Sequence, residues 1–328
     1  MKSKVSIIIA AYNIQDYIMR CMKSVINQTF ENIEIIVVND GSSDSTLEIL
    51  EKLEVQDDRI KIITQKNKGL IEARKTGLHH ATGEYILFID GDDWLELECI
   101  EKLYNSAINQ NTDILIYNFF WSYDNSKKLG LGFNSKDDDI TLNPLKSLFI
   151  GNISPCIWTK FIRRQFIEDS NVQFPSNISF AEDLATVASL FIFKPKIGIL
   201  NENLYNYYQR DNSITKEVGP KILEVNKAIL FIKEQMIKNK IYDEYKSEFE
   251  GMIYSHLFLQ RFLTATKIQD IHKEVYNQYK KHKIVIKNNK YINKLIDDQP
   301  ISLKIRMKSY NTSYYLGYCY DLLRKFFI

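Results

Sequence analysis

Three carboxylates stand within four residues at Asp90-Gly91-Asp92-Asp93. They follow an apolar run, Glu84-Tyr85-Ile86-Leu87-Phe88-Ile89, that reads as a buried strand. Crowded like charges are unfavourable unless a positive charge lies among them. A divalent cation with oxygen ligands is one answer. An acidic turn that caps the next helix is the other. Three further strand ends carry reactive or binding side chains. The first ends in Ala10-Ala11-Tyr12-Asn13, where small residues admit a planar ring and Tyr12 can stack on it. The second ends in Asn39-Asp40-Gly41-Ser42-Ser43-Asp44, where Asp40 can accept from an imide N–H. After the third come Asn67-Lys68-Gly69 and then Arg74, whose guanidinium suits a phosphate. Ligands of open α/β sheets bind at the carboxyl ends of the strands.

Those ends act together only if one sheet aligns them. Apolar periodicity predicts strands over 5–9, 34–38, 61–64, 84–89 and 113–119. Helices are expected over 15–27, 71–80 and 96–110, with another opened by a capping box at Ser45-Thr46-Leu47-Glu48. This alternation implies an α/β fold with a mostly parallel sheet and helices on both faces. Residues 122–143 are polar and read as an excursion or hairpin, with Asp137-Asp138-Asp139 solvated. From Pro220 onward the pattern is helical, with Ile222, Val225, Ile229, Ile232 and Met236 at helix spacing.

The composition is that of a globular chain: 328 residues, 45% hydrophobic and 26% charged. The net charge of +2 is unevenly spread: 216–328 carries +9 and the remainder −7. The acidic part would repel nucleic-acid phosphate, and no nucleic-acid partner is expected. The basic part suits an anionic surface, or holds ordinary surface lysines. Four dispersed cysteines suggest neither a zinc site nor a disulfide framework, which fits a reducing compartment. The five histidines are scattered and expected in ordinary surface or core positions. No uninterrupted apolar stretch approaches the ~18 residues of a membrane span.

Longer motifs surround these residues. They are Val5-Ser6-Ile7-Ile8-Ile9-Ala10-Ala11-Tyr12-Asn13, Val37-Val38-Asn39-Asp40-Gly41-Ser42-Ser43-Asp44-Ser45-Thr46 and Phe88-Ile89-Asp90-Gly91-Asp92-Asp93-Trp94. Further on stand Trp158-Thr159-Lys160, Ala181-Glu182-Asp183-Leu184 and Tyr205-Asn206-Tyr207-Tyr208-Gln209-Arg210-Asp211-Asn212-Ser213-Ile214. On these motifs the chain resembles a family 2 glycosyltransferase of GT-A fold, of the kind that builds bacterial surface polysaccharides. The resemblance covers about 4–216. Two departures stand out: Ala10 where the family often has Pro, and Ala181 where it often has Gly.

The resemblance implies an inverting transfer from a nucleotide-sugar, UDP-linked, to a saccharide or lipid-linked saccharide. Ala10, Ala11, Tyr12, Asn13, Asp40, Asn67, Gly69, Arg74 and Gly91 would hold the nucleotide-sugar. Asp90 would touch ribose or metal, and Asp92 would bind Mn²⁺ or Mg²⁺ on the diphosphate. Asp183 would be the general base, supported by Glu182, or the pair caps the helix that follows. Lys160 and Arg210 would grip phosphate or acceptor oxygens, or are surface charges. Asp93 is an acceptor-side candidate. Trp94 and Trp158 would stack on sugar faces, or are core aromatics. The implied organisation is a catalytic domain over 1–216, its acceptor side about 120–216, and a helical region over 217–328. Lys304-Ile305-Arg306-Met307-Lys308, Tyr314-Tyr315-Leu316-Gly317-Tyr318 and Leu322-Leu323-Arg324-Lys325-Phe326-Phe327-Ile328 mix basic and aromatic residues. That mixture suits peripheral contact with the inner face of a membrane through 300–328, a homodimer contact, or a packed amphipathic helix. Two rivals compete. A nucleotidyltransferase needs a Gly-rich basic loop near the N-terminus, which the residues after Ile9 do not supply. A non-catalytic scaffold would have lost Asp92 or Asp183.

Overall fold

The computed structural model describes residues 3–136, 139–210, 220–263 and 269–325. Asp137, Asp138, the end of the motif at Asp211–Ile214 and Phe326-Phe327-Ile328 lie outside the described residues. The chain begins with alternating units: β1 (Val5–Ala11), α1 (Ile18–Ile26), β2 (Ile33–Asn39), α2 (Thr46–Glu54), β3 (Ile60–Thr64), α3 (Leu70–His80) and β4 (Tyr85–Asp90). Next come β5 (Trp94–Leu95), α4 (Cys99–Gln110), and the hairpin of β6 (Ile114–Tyr123) with β7 (Ser126–Gly130). Then follow α5 (Pro144–Phe149), β8 (Lys160–Arg163), α6 (Arg164–Ser170), α7 (Glu182–Ile192) and β9 (Ile197–Tyr208).

The strand order is β3-β2-β1-β4-β8-β6-β9-β5, with β7 on β6. β3, β2, β1 and β4 are mutually parallel, as the alternation predicts. The other half mixes directions, because β8 runs antiparallel to both β4 and β6. The parallel register sets Ala11 beside Asn39, Asn39 beside Thr64 and Ala10 beside Asp90. Four strand ends therefore share one edge.

Strand residues alternate between two cores, as a pleated sheet requires. Val5, Ile7, Ile9, Val37, Leu87 and Ile89 pack with α1, α2 and α4. Ile8, Ile36, Val38, Ile86 and Phe88 pack with α3 and α7. This second core continues without a break into α8 (Val225–Lys238), α9 (Lys246–Ile253), the π-helical turn Tyr254–Phe262, α10 (Gln269–Lys281), α11 (Lys290–Asp297) and α12 (Ile301–Thr312). The last helix is α13 (Tyr314–Lys325). Among the described residues no helix is long and apolar enough to cross a membrane.

Three local expectations are corrected. The capping box is not formed: Ser45 makes no side-chain cap, and Glu48 pairs with Lys52 instead. Asp44 takes the capping role by accepting from the Thr46 N–H at 3.0 Å. Helix α4 starts at Cys99 and not at 96, because Trp94 and Leu95 pair with β9 and the Glu96 N–H donates to the Leu204 carbonyl. Asp139 is not merely solvated, since it pairs with Lys146.

Candidate active site

The turns after β1 and β2 are stitched together. The Asn13 side-chain oxygen accepts from the Ser43 N–H at 2.8 Å, and the Asn13 N–H donates to Ser42 Oγ at 3.1 Å. Tyr12 rises from this stitch, 49% exposed. Asp40 lies beneath it and is only 3% exposed. Its Oδ1 accepts from Gln65 Nε2 (2.7 Å) and the Lys68 N–H (2.9 Å), and its Oδ2 from the Gly69 N–H (2.8 Å). Asp40 thus latches the loop that carries Asn67 and Gly69. A carboxylate has about four acceptor positions, so one remains. Gly41 has φ +76° and a β-carbon there would lie 2.9 Å from the Asn67 nitrogen. Any side chain would push the loop outward.

The acidic centre is organised by arginines. Arg74 projects from α3, where it is almost fully buried. Its Nη2 meets Asp90 Oδ1 and its Nη1 meets Asp183 Oδ1, both at 2.6 Å. Asp183 Oδ2 also accepts from the Ile157 N–H at 3.2 Å. Asp92 pairs with Arg210 Nε at 3.2 Å. Arg20 Nη2 donates to the Asp92 carbonyl at 2.9 Å, and its guanidinium lies 3.9 Å from the Trp94 ring and 4.2 Å from the Tyr208 ring. Gly91 lets this loop close, since a β-carbon would fall 2.3 Å from Ile14 Cδ1.

Burial governs the charges here. It pushes the Asp92 carboxyl above its ordinary range, against the pull of Arg210. It raises Asp183 against the pull of Arg74. Glu182 is pushed up to about 7, by burial first and by the Asp183 charge second. Burial opposes the charge of Arg74, but Asp183, Asp90 and Glu182 outweigh it and raise its pKa. The centre is a set of carboxylates, three of them raised by burial, held by the permanent cations of Arg74 and Arg210.

Three acceptor-side candidates prove to be interior. Asp93 is fully buried and accepts from Tyr205 Oη at 2.5 Å and the Tyr208 N–H at 2.8 Å. It ties β9 to the acidic loop. Trp158 is buried and stacks on Tyr205, with ring centroids 4.5 Å apart. Lys160 is buried, and its ammonium donates to the carbonyls of Ser154 and Cys156 and to Thr159 Oγ1. Burial lowers its pKa to about 7. These bonds shape the loop that presents the Ile157 N–H to Asp183. Trp94 and Arg210 stay at the partly open edge, beside Arg20 and Asp92. Arg20 and Tyr205 were not expected at the site. Arg20 lies next to the apolar stripe of α1 and reads as a surface residue. Tyr205 bridges Asp93 and the Asp90 N–H across 112 and 115 positions in sequence.

Ala181 initiates α7 with φ +62° and ψ 24°. A left-handed alanine costs roughly 1 kcal/mol, which explains why glycine suits this position. Ala181→Gly is therefore expected to stabilise the protein by about 0.5–1 kcal/mol, less the added freedom of the unfolded chain. A urea titration checks this, and a lower midpoint would refute the strain.

An α/β core with carboxylates and an arginine at the strand edge is the GT-A architecture of glycosyltransferases. The family described as Glycosyl transferase family 2 matches residues 6–169, and the chain belongs to that family. It is similar to a Bacillus subtilis (strain 168) protein designated glycosyltransferase EpsH, 32% identical over 263 residues, 77% of this chain and 74% of that one. It is also similar to the cholesterol galactosyltransferase of Borreliella burgdorferi, 32% identical over 299 residues, 87% of this chain and 82% of that one. Among solved structures, TarS 1–349 of S. aureus in complex with UDP-GlcNAc superposes with a TM-score of 0.70 at 21% identity, over 84% of this chain and 80% of that one.

Proposed function

We propose that this glycosyltransferase moves a sugar from a UDP-sugar to a hydroxyl of a saccharide or lipid-linked saccharide, with inversion, in bacterial surface-polysaccharide synthesis at the inner face of the membrane. The observation that carries this reading is the Arg74 bridge, which joins the acidic strand end at Asp90 to the carboxylate of Asp183. One guanidinium thereby couples a phosphate-binding edge to a base. TarS, solved with UDP-GlcNAc and with UDP, supports the donor class.

Tyr12 stacks on the uracil and Asp40 accepts from its imide N–H. Asn13, Asn67 and Gly69 line that cradle, and Ala10 and Ala11 admit the ring. Arg74, whose Nη1 and Nη2 are held by Asp183 and Asp90, would meet the diphosphate by exchanging the Asp90 contact. Among the described residues no three His, Cys, Asp or Glu side chains converge on a metal position. Asp90 and Asp92 nonetheless present two hard oxygen donors whose crowding a cation would relieve, so they fit Mn²⁺ or Mg²⁺ with phosphate oxygens completing the shell. When bound, the cation neutralises charge on the leaving diphosphate. The acceptor oxygen attacks the anomeric carbon, the bond to the diphosphate breaks, and the acceptor proton passes to Asp183. Glu182, whose carboxyl is pushed up to about 7, carries only part of a negative charge near neutrality and so burdens Asp183 less than a full carboxylate would. Trp94 and Arg210 face the acceptor side.

Titration calorimetry with UDP and GDP, each with Mn²⁺ and with EDTA, tests the reading. UDP is expected to bind with Mn²⁺ and at least about ten-fold more weakly with EDTA. Asp92→Ala is expected to bind weakly under both conditions. Binding of GDP alone would overturn the UDP assignment, and binding of neither would overturn the donor site.

A further inference from the structure

We propose that the α12–α13 hairpin is a docking surface for an anionic lipid bilayer. This surface lies outside the donor site; it deepens the proposed place at the membrane, and vesicle binding and UDP binding test the two readings separately. In α13, Tyr315, Leu316, Cys319, Leu322 and Leu323 recur at i, i+1, i+4, i+7 and i+8, the spacing of one helix face. All five are exposed; Tyr315, Leu316 and Leu323 are 68, 52 and 60% so. In α12, Ile301, Lys304, Ile305 and Lys308 share a face in the same way, with both isoleucines exposed.

The opposite faces are firmly held. Arg306 grips Asp321 through two bonds of 2.7 and 2.8 Å, and Tyr310 Oη donates to Asp321 at 2.7 Å. Met307 and Tyr310 are buried in the helical core. Solvent therefore meets the apolar stripe of a helix that is anchored through Asp321.

Charge selects the occupant. Asp321 is the single acidic residue of 301–325, and it is consumed by Arg306. Lys304, Lys308 and Arg324 form no salt bridge among the described residues, and Lys273 of α10 adds its ammonium 5.7 Å from the Tyr315 ring. The wider segment 216–328 keeps the same sign at +9. A second copy would bring like charge against like charge. An anionic headgroup layer would neutralise these cations while its acyl boundary takes the leucines.

Co-sedimentation of the full-length protein with vesicles of phosphatidylglycerol and phosphatidylcholine tests this. Pelleting is expected at low salt, with loss in phosphatidylcholine alone and at high salt. Lys304→Gln with Lys308→Gln is expected to weaken binding about five-fold per charge. Leu316→Ser with Leu323→Ser is expected to weaken it by about ten-fold or more. Truncation from residue 310 is no substitute, because Tyr310 belongs to the core. Thermal melts and UDP titration of both variants should match wild type. Wild-type protein that stays in the supernatant with anionic vesicles at low salt overturns the proposal. So does a leucine variant that converts a dimer to a monomer by light scattering while vesicle binding is unchanged.

Discussion

Asp183→Asn lowers turnover, read as UDP release from the donor, by about 10²- to 10⁴-fold. The carboxylate, the proposed base, is held by two donors, Arg74 Nη1 and the Ile157 N–H. An amide retains the shape but cannot take the proton. Its NH₂ must also face one of those donors, which costs about 1–3 kcal/mol, so the variant melts somewhat earlier yet still folds. The pH profile sharpens the test. A base works when deprotonated, and burial raises Asp183 above the ordinary carboxylate range. Wild-type kcat/KM is therefore expected to fall as pH drops through that raised value, and the asparagine variant to lose this acid limb. Turnover within about ten-fold of wild type would remove Asp183 from the base role.

Arg74→Met is expected to cost about 3–5 kcal/mol, because it strands two buried carboxylates that now share one guanidinium. The loss should depend on pH. Without Arg74, the charges of Asp90, Asp183 and Glu182 repel one another, and the Asp183 and Glu182 carboxyls, already raised by burial, rise further above their unfolded values. The folded state then binds more protons than the unfolded state between the two values. Stability falls as pH rises through that window and recovers as pH falls. The deficit should be largest near pH 8 and smallest near pH 5, measured by urea titration at both. Arg74→Lys should fall between, since a point charge cannot fork to two carboxylates. A methionine variant as stable as wild type at pH 8 would show that the bridge does not hold the centre together.

Much of this was legible in the chain. The continuous apolar runs at Val5, Ile35 and Tyr85 and the helical stretches that alternate with them identify the parallel half of the sheet. The strand-end motifs single out Tyr12, Asp40, Asp90 and Asp92, the helix after the third strand offers Arg74, and the family resemblance adds Asp183. Local pattern fails where partners are distant. It sets the start of α4 too early, because the strand pairing of Trp94 is made by Asn206. It places a capping box at Ser45, where Asp44 does the capping.

What the sequence by itself determined is therefore the family, the alternation of strands and helices through the parallel half of the sheet, and the identity of the carboxylates on one sheet edge. Periodicity and turn chemistry are local, and neighbouring residues settle them. Only the tertiary structure decided which charges meet. It joined Arg74 to Asp90 and to Asp183, 16 and 109 positions away. It turned Asp93, Trp158 and Lys160 from acceptor contacts into buried supports. It also left the outer stripe of α13 exposed among the described residues. Burial and cross-chain pairing are properties of packing, and no window of sequence contains them.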